Sequence, residues 1–280
     1  MVKTNLGRLL LSMALLVSLP AFGVAEDEDG QGKCSLKTIK GAFGVLEQGS
    51  VVGQLPGLPA PPFPFAIVGV DSYDGRGNLT GSFTASFNGA TLSGTLNGTY
   101  TVNSDCTYSD QFTTSLGGPA LHRSGSISGE APRQVSFIYT DALYTSSPFT
   151  ASGTAKETPE GECSLRTVKG VYVGAGQAIY TVSQWGFTAP FPAAWSSLFT
   201  IDGPGHYSGN GSLNLSGLNL PLPFQATYTV DPDCTFHDIV TNPYGTGKGV
   251  GVITGVGRSQ EIRMVLEDPN AVTVATFWKQ

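Results

Sequence analysis

The chain has 280 residues, of which only 13% are charged, and a formal net charge of −6. A chain this acidic repels phosphate backbones, so nucleic acid is excluded as an expected partner. Its apolar fraction, 40%, suffices for a core and argues against disorder, while 37 glycines among Phe, Tyr, Val and Thr indicate sheet with many tight turns.

At the start, Lys3 and Arg8 precede an apolar run from Leu9 to Leu19, and Gly23-Val24-Ala25 sets small residues ahead of a cut before Glu26. Residues 1–25 are therefore predicted to be a secretory signal peptide. The run is too short to span a bilayer comfortably, and no later apolar run is long enough for a membrane helix. The processed chain is expected to be secreted or periplasmic, without a transmembrane segment. It would carry 13 basic and 21 acidic residues, a net charge of −8.

The next segment, Cys34-Ser-Leu-Lys-Thr-Ile-Lys-Gly41, places Leu36, Ile39 and Lys40 at helical spacing, enough for one short turn. Strands are predicted near 42–48, 65–73, 78–87, 90–102, 107–114, 123–129, 134–140 and 150–156. The clearest is Thr91 to Val102, where Leu92, Gly94, Leu96, Gly98, Tyr100 and Val102 share one face and polar residues the other. Phe83, Ala85 and Phe87 are likewise expected inward, and Asn88-Gly89 between these strands is a hairpin turn. Asp74-Gly75-Arg76-Gly77, which superficially suggests a calcium or phosphate loop, is expected to be a turn. It lacks the alternating acids of a calcium loop, and a strand rather than a helix follows it.

After a charged linker, Lys156 to Glu162, the sequence repeats. Cys34 to Gly44 returns as Cys163 to Gly174, Tyr73 to Gly81 as Ile201 to Gly209, Gly98 to Tyr108 as Ala226 to Phe236, and Gly125 to Gly129 as Gly251 to Gly255. The offset stays between 126 and 129 residues, which marks a tandem duplication. The expected domains are residues 34–156 and 163–280. Each copy holds two cysteines, and an even count in an exported chain implies disulfides. Of three pairings, the duplication favours Cys34–Cys106 and Cys163–Cys234, each worth roughly 3–5 kcal/mol by loop closure.

A short plug followed by eight strands joined by short turns suits a closed up-and-down barrel. The fold class expected is thus all-β, two tandem antiparallel barrels of eight strands each, with a β-sandwich as the alternative. Lys40-Gly41-Ala42-Phe43 and Lys169-Gly170-Val171-Tyr172 resemble the start of calycin barrels, where lipocalins carry Gly-x-Trp. Cys-Ser-Leu-x-Thr, Asp-Gly-x-Gly, Tyr-Thr-Val-x-x-Asp-Cys-Thr and the final Lys-Gln resemble a group of small secreted proteins similar in outline to allene oxide cyclase-like barrels. That resemblance implies a calycin-like barrel and leaves function open, because such barrels serve carriers, cyclases and proteins without a ligand.

Motifs for chemistry are sparse. Gly125 to Gly129 has Ile127 where a nucleophilic serine would stand. Gly245 to Gly249 resembles a phosphate loop, but Asn242 replaces its first glycine, and a hairpin loop is expected. His237 and Asp238 are adjacent on a strand, so they face opposite ways and cannot pair; both are read as surface residues. Asp105 and Asp233 are expected to accept backbone N–H groups in turns. Three scattered histidines and no C-x-x-C leave no metal site, and no cofactor is expected.

All three tryptophans lie in the second copy. Trp185, Phe187, Phe191 and Trp195, in a Pro- and Phe-rich stretch, are the candidate ligand contacts, lying beside a barrel mouth or packing between domains. The expected function is secreted binding of a small apolar or aromatic ligand. The alternatives are a cyclase or isomerase that shapes an apolar substrate, and an extracellular structural protein.

Overall fold

A computed structural model describes residues 34–53, 60–128, 131, 133–140 and 149–280. The predicted leader lies outside the described residues, as does the stretch 54–59 of the first copy's Pro-rich loop. Residues Lys33–Gln280 form one compact unit.

The first copy is a closed antiparallel barrel of eight strands in sequence order. They are β1 (Gly41–Val51), β2 (Phe63–Tyr73), β3 (Asn78–Phe87), β4 (Ala90–Val102), β5 (Thr107–Thr114), β6 (Leu121–Ser128), β7 (Gln134–Tyr139) and β8 (Phe149–Glu157). A 3-10 turn, Leu36–Ile39, precedes β1 and plugs one end, with Ile39 fully buried beside Phe43, Tyr73 and Tyr100. The Asn88-Gly89 turn has φ of 51° and 91°, the left-handed pair a two-residue hairpin needs.

The second copy repeats this with β9 (Gly170–Tyr180), β10 (Phe191–Ile201), β11 (His206–Leu215), β12 (Leu218–Pro221), β13 (Phe224–Val230), β14 (Thr235–Asn242), β15 (Gly245–Thr254), β16 (Glu261–Leu266) and β17 (Ala271–Lys279). Because β11 pairs with both β10 and β13, and β17 with β9, eight of these close a barrel and β12 flanks β11. The single long β4 is split here into β12 and β13. Pro221 and Pro223 stand at the break, where a residue without an N–H cannot continue the ladder. Gly245 to Gly249 is the first half of β15 rather than a loop; its glycines pair with β14 across the hairpin.

Each copy keeps its disulfide at the plugged end, Cys34–Cys106 and Cys163–Cys234, with Cα separations of 5.0 and 4.9 Å. Asp74 accepts N–H groups from Arg76 at 2.6 Å and Asn78 at 3.0 Å, and the Asn78 side chain and these N–H groups draw its pKa down to about 2. The Asp74-Gly75-Arg76-Gly77 segment is thus a turn. Asp105 and Asp233 cap their turns through the N–H of Thr107 and Thr235, both at 3.0 Å.

The barrels pack side to side. Outward residues Ala66, Val68 and Val70 of β2 meet Val250 and Val252 of β15, Val265 of β16 and Val272 of β17. Around this seam, Lys156 Nζ reaches Glu261 Oε1 at 2.7 Å, and Arg263 Nη1 donates to the Thr154 carbonyl at 3.0 Å. A Cβ on Gly44 would run into Thr254 and come within 2.7 Å of Val252. Gly44→Val is therefore expected to destabilise the protein by roughly 1–3 kcal/mol through overpacking, read as a lowered Tm by calorimetry. An unchanged Tm would mean the barrels do not pack this way in solution.

Candidate functional site

Inside the first barrel, the inward alternation of β1, β2, β5 and β6 brings four ionisable side chains together. Arg123 is 1% exposed. Its Nη1 donates to Glu47 Oε1 at 2.9 Å, and its Nη2 to Asp71 Oδ2 at 2.8 Å and Asp110 Oδ2 at 2.6 Å. Its Nε donates to both oxygens of Asp110, at 2.9 and 3.2 Å. The guanidinium also lies over the rings of Phe112 and Phe137, 4.6 and 4.5 Å from their centroids. Tyr139 donates to Glu47 Oε2 at 2.7 Å, and Tyr108 donates to Asp110 Oδ2.

Three carboxyls around one guanidinium leave two negative charges in excess if all ionise. Burial pushes the carboxyls of Glu47 and Asp71 up, against the pull of Arg123. Burial alone would depress the guanidinium, but Asp110 and Asp71 hold its pKa well above the ordinary value, so Arg123 stays charged. Burial likewise raises the phenols of Tyr73, Tyr108 and Tyr139, which remain hydrogen-bond donors.

Glu47, Asp71 and Tyr139 form the floor of a cavity of about 580 Å³ that fills the barrel away from the plug. Its walls include Phe65, Ile67, Phe83, Phe87, Leu96 and Phe112, and Leu92, Leu116 and Pro119 stand at its rim. Leu92 and Leu116 are 39% and 48% exposed.

The second barrel holds a cavity of about 860 Å³. Trp185 and Trp195 line it, together with Phe199, Tyr207, Phe224 and Phe277. Phe187 and Phe191 are not part of that lining but stack behind it: they lie 5.2 Å apart, with Phe191 on Tyr180 at 4.9 Å and Tyr180 on Trp185 at 5.2 Å. Asp238 also lines this cavity and is 4% exposed, so it is an interior residue and not a surface one. His237 does face outward and meets Asp231 at 3.2 Å. The strand alternation places these two neighbours on opposite sides of the wall. A shallower groove between the barrels, about 750 Å³ and bordered by Leu46, Gln48, Ile138, Gln177, Val274 and Trp278, has no ionisable lining.

Tyr207 donates to Asp238 Oδ2, yet burial raises the acid to about 6 from 3.8. Asp238 thus favours folding most below about pH 4, where it is protonated in both states, and that advantage is lost as pH rises through 6. Two units correspond to about 3 kcal/mol. Asp238→Asn, which still accepts from Tyr207, should gain about that much stability over the wild type between pH 4 and pH 8. Urea unfolding at the two pH values checks this; a constant difference would contradict it.

The Arg123 cluster was not visible as a motif, since its members are spread over 77 positions and four strands. One signal was available: Asp71 and Arg123 fall on the apolar face of their strands, where an isolated charge has no reason to be.

No family profile matches the chain, and no curated protein matches it. Among solved structures, it is similar to intact Ap-TbpB with its N and C lobes, at 10% identity and a TM-score of 0.28, covering 89% of this chain and 77% of that one. It is also similar to a protein of unknown function from the DUF3598 family of Nostoc punctiforme, at 12% identity and a TM-score of 0.24, covering 89% of this chain and all of the other.

Proposed function

We propose that the protein is an exported binding module whose barrel interiors hold small, largely apolar molecules. The observation that carries this reading is the first barrel's cavity. Its volume of about 580 Å³ falls within the range of about 300–1,000 Å³ usual for small-molecule sites. Its walls are mostly aromatic and aliphatic, and its ionisable lining residues, Glu47, Asp71 and Tyr139, lie on the floor. Covering 200 Å² of apolar ligand surface there would contribute about 5 kcal/mol before entropic losses. A cyclase or isomerase would need a free acid or base in the cavity. In the first cavity both oxygens of Glu47 are engaged by Arg123 and Tyr139, which favours binding over acid–base catalysis there. Export is supported by the two disulfides, which belong to oxidising compartments, and no helix among the described residues is long and apolar enough to cross a membrane.

N-Phenyl-1-naphthylamine, a neutral aromatic probe that fluoresces when desolvated, tests the reading. Wild-type protein should bind it saturably. Leu92→Trp combined with Leu116→Trp, filling the exposed mouth of the first cavity, should weaken binding at that cavity at least tenfold and leave only the second barrel's share. No fluorescence rise with the wild type, or a rise the double variant leaves unchanged, would overturn the assignment.

A further inference from the structure

The two barrels share a strand register, and this exposes a difference in their interiors. In the first, Asp110 stands directly across the ladder from Arg123. In the second, the same ladder position pairs Asp238 with Gly249. The carboxylate has been kept and its cation deleted. The rest of the cluster has changed with it: Tyr139, which lies opposite Arg123, corresponds to Leu266, which lies opposite Gly249. Asp71, opposite Phe43, corresponds to Phe199, opposite Tyr172. Glu47, four residues beyond Phe43, corresponds to Gly176, four beyond Tyr172.

What remains is an under-satisfied polar site. Asp238 Oδ1 has no hydrogen bond of ordinary geometry, although the Gly249 backbone N–H beside it helps to hold the acid's pKa down. Five buried side-chain atoms among the described residues lack a partner, and three of them belong to residues of this one cavity: Asp238 Oδ1, Ser197 Oγ and Gln184 Nε2. Removing one partner of a buried ion pair is strongly unfavourable unless something else meets the charge left behind. Trp195, Tyr207, Phe199 and Phe277 line the same cavity, and aromatic rings are the side chains whose faces attract cations.

We propose that the second barrel binds an organic cation, an ammonium or amidinium group on an apolar body, whose charged end meets Asp238 where the first barrel uses its own Arg123. The proposal rests on the reading of the barrels as ligand cavities and adds the ligand class for one of them. The other ionisable residues along this cavity are Tyr180, Tyr207, Tyr244, Lys248, Glu267 and Asp268, two carboxylates against one lysine, so the local charge also favours a cation. Because burial holds Asp238 near 6, the site should strengthen as pH rises from 5 to 7.5.

The test compares 2-naphthylmethylamine with its neutral analogue 2-naphthylmethanol by calorimetry, in the Leu92→Trp/Leu116→Trp background that fills the first cavity. At pH 7.5 the amine should bind at least tenfold tighter than the alcohol, and the preference should shrink at pH 5. Asp238→Asn should abolish it while retaining a cooperative thermal transition. Equal binding of amine and alcohol would overturn the cation assignment and leave the cavity reading standing. Binding of neither would overturn both for this barrel. The amine–alcohol comparison with Asp238 intact, and its pH dependence, decide the question even if Asp238→Asn fails to fold.

Discussion

Arg123→Met is expected to destabilise the folded protein by about 3–5 kcal/mol at pH 7, the largest effect of any single substitution considered. The methionine fills much of the space between Phe112 and Phe137. It leaves Glu47, Asp71 and Asp110 buried at 3%, 2% and 5% exposure with no counter-charge. The sign of the pH dependence follows from the carboxyls. Glu47 and Asp71 already take up protons more readily in the folded state, and without Arg123 they do so further. The penalty should therefore shrink as pH falls through the carboxylate range and grow toward neutrality. Urea unfolding at pH 4 and pH 7.5 reads both quantities. Neutralising the three acids together, as Glu47→Gln, Asp71→Asn and Asp110→Asn in the Arg123→Met background, should recover part of the loss. A loss independent of pH, unrelieved by the neutral set, would mean that packing and not charge holds the centre of the barrel.

Opening the disulfides comes next in size. Each closes about 70 residues of chain, with separations of 72 and 71. Loop closure of that length restricts the unfolded chain by roughly 4 kcal/mol, in a model that attributes the whole effect to chain entropy. Each bond also ties the plug to the far end of a hairpin, since Cys106 and Cys234 sit in turns at φ of 65° and 72°. Replacing Cys34 and Cys106 together by serine should lower the denaturation midpoint by a similar amount to replacing Cys163 and Cys234. The two variants are expected to be close because the loops are nearly equal. A small effect from either pair would show that its barrel is held by packing alone.

The strands and the duplication were legible because alternation and repetition are local signals. The predicted span 90–102 coincides with β4, and 107–114 with β5. The unbroken apolar run Phe65-Ala-Ile-Val-Gly-Val70 also carried information about the seam, since both faces of that strand are covered: Phe65 looks into the barrel and Ala66, Val68 and Val70 look at the neighbour. The interior charges were harder to see. Glu47, Asp71, Asp110 and Arg123 meet only once the sheet closes, and closure is made by β1 pairing with β8, as between Val45 and Ala155, 110 residues apart. Asp238 is buried although its neighbour His237 faces outward, contrary to the surface position expected for both. Its inward position follows from the same alternation that separates the two, applied in phase with Phe236 and Val240. The duplication itself shows that the acid at Asp110 is retained as Asp238 while the residue matching Arg123 is Gly249.

The most direct test of the central claim, that these barrels are containers, is native mass spectrometry of the protein isolated under non-denaturing conditions from the cells that produce it. The account predicts a mass above that of the disulfide-bonded chain, which falls to the chain mass on acid denaturation as one or two small molecules are released. A chain mass with nothing attached, in protein that also takes up neither N-phenyl-1-naphthylamine nor 2-naphthylmethylamine, would contradict it.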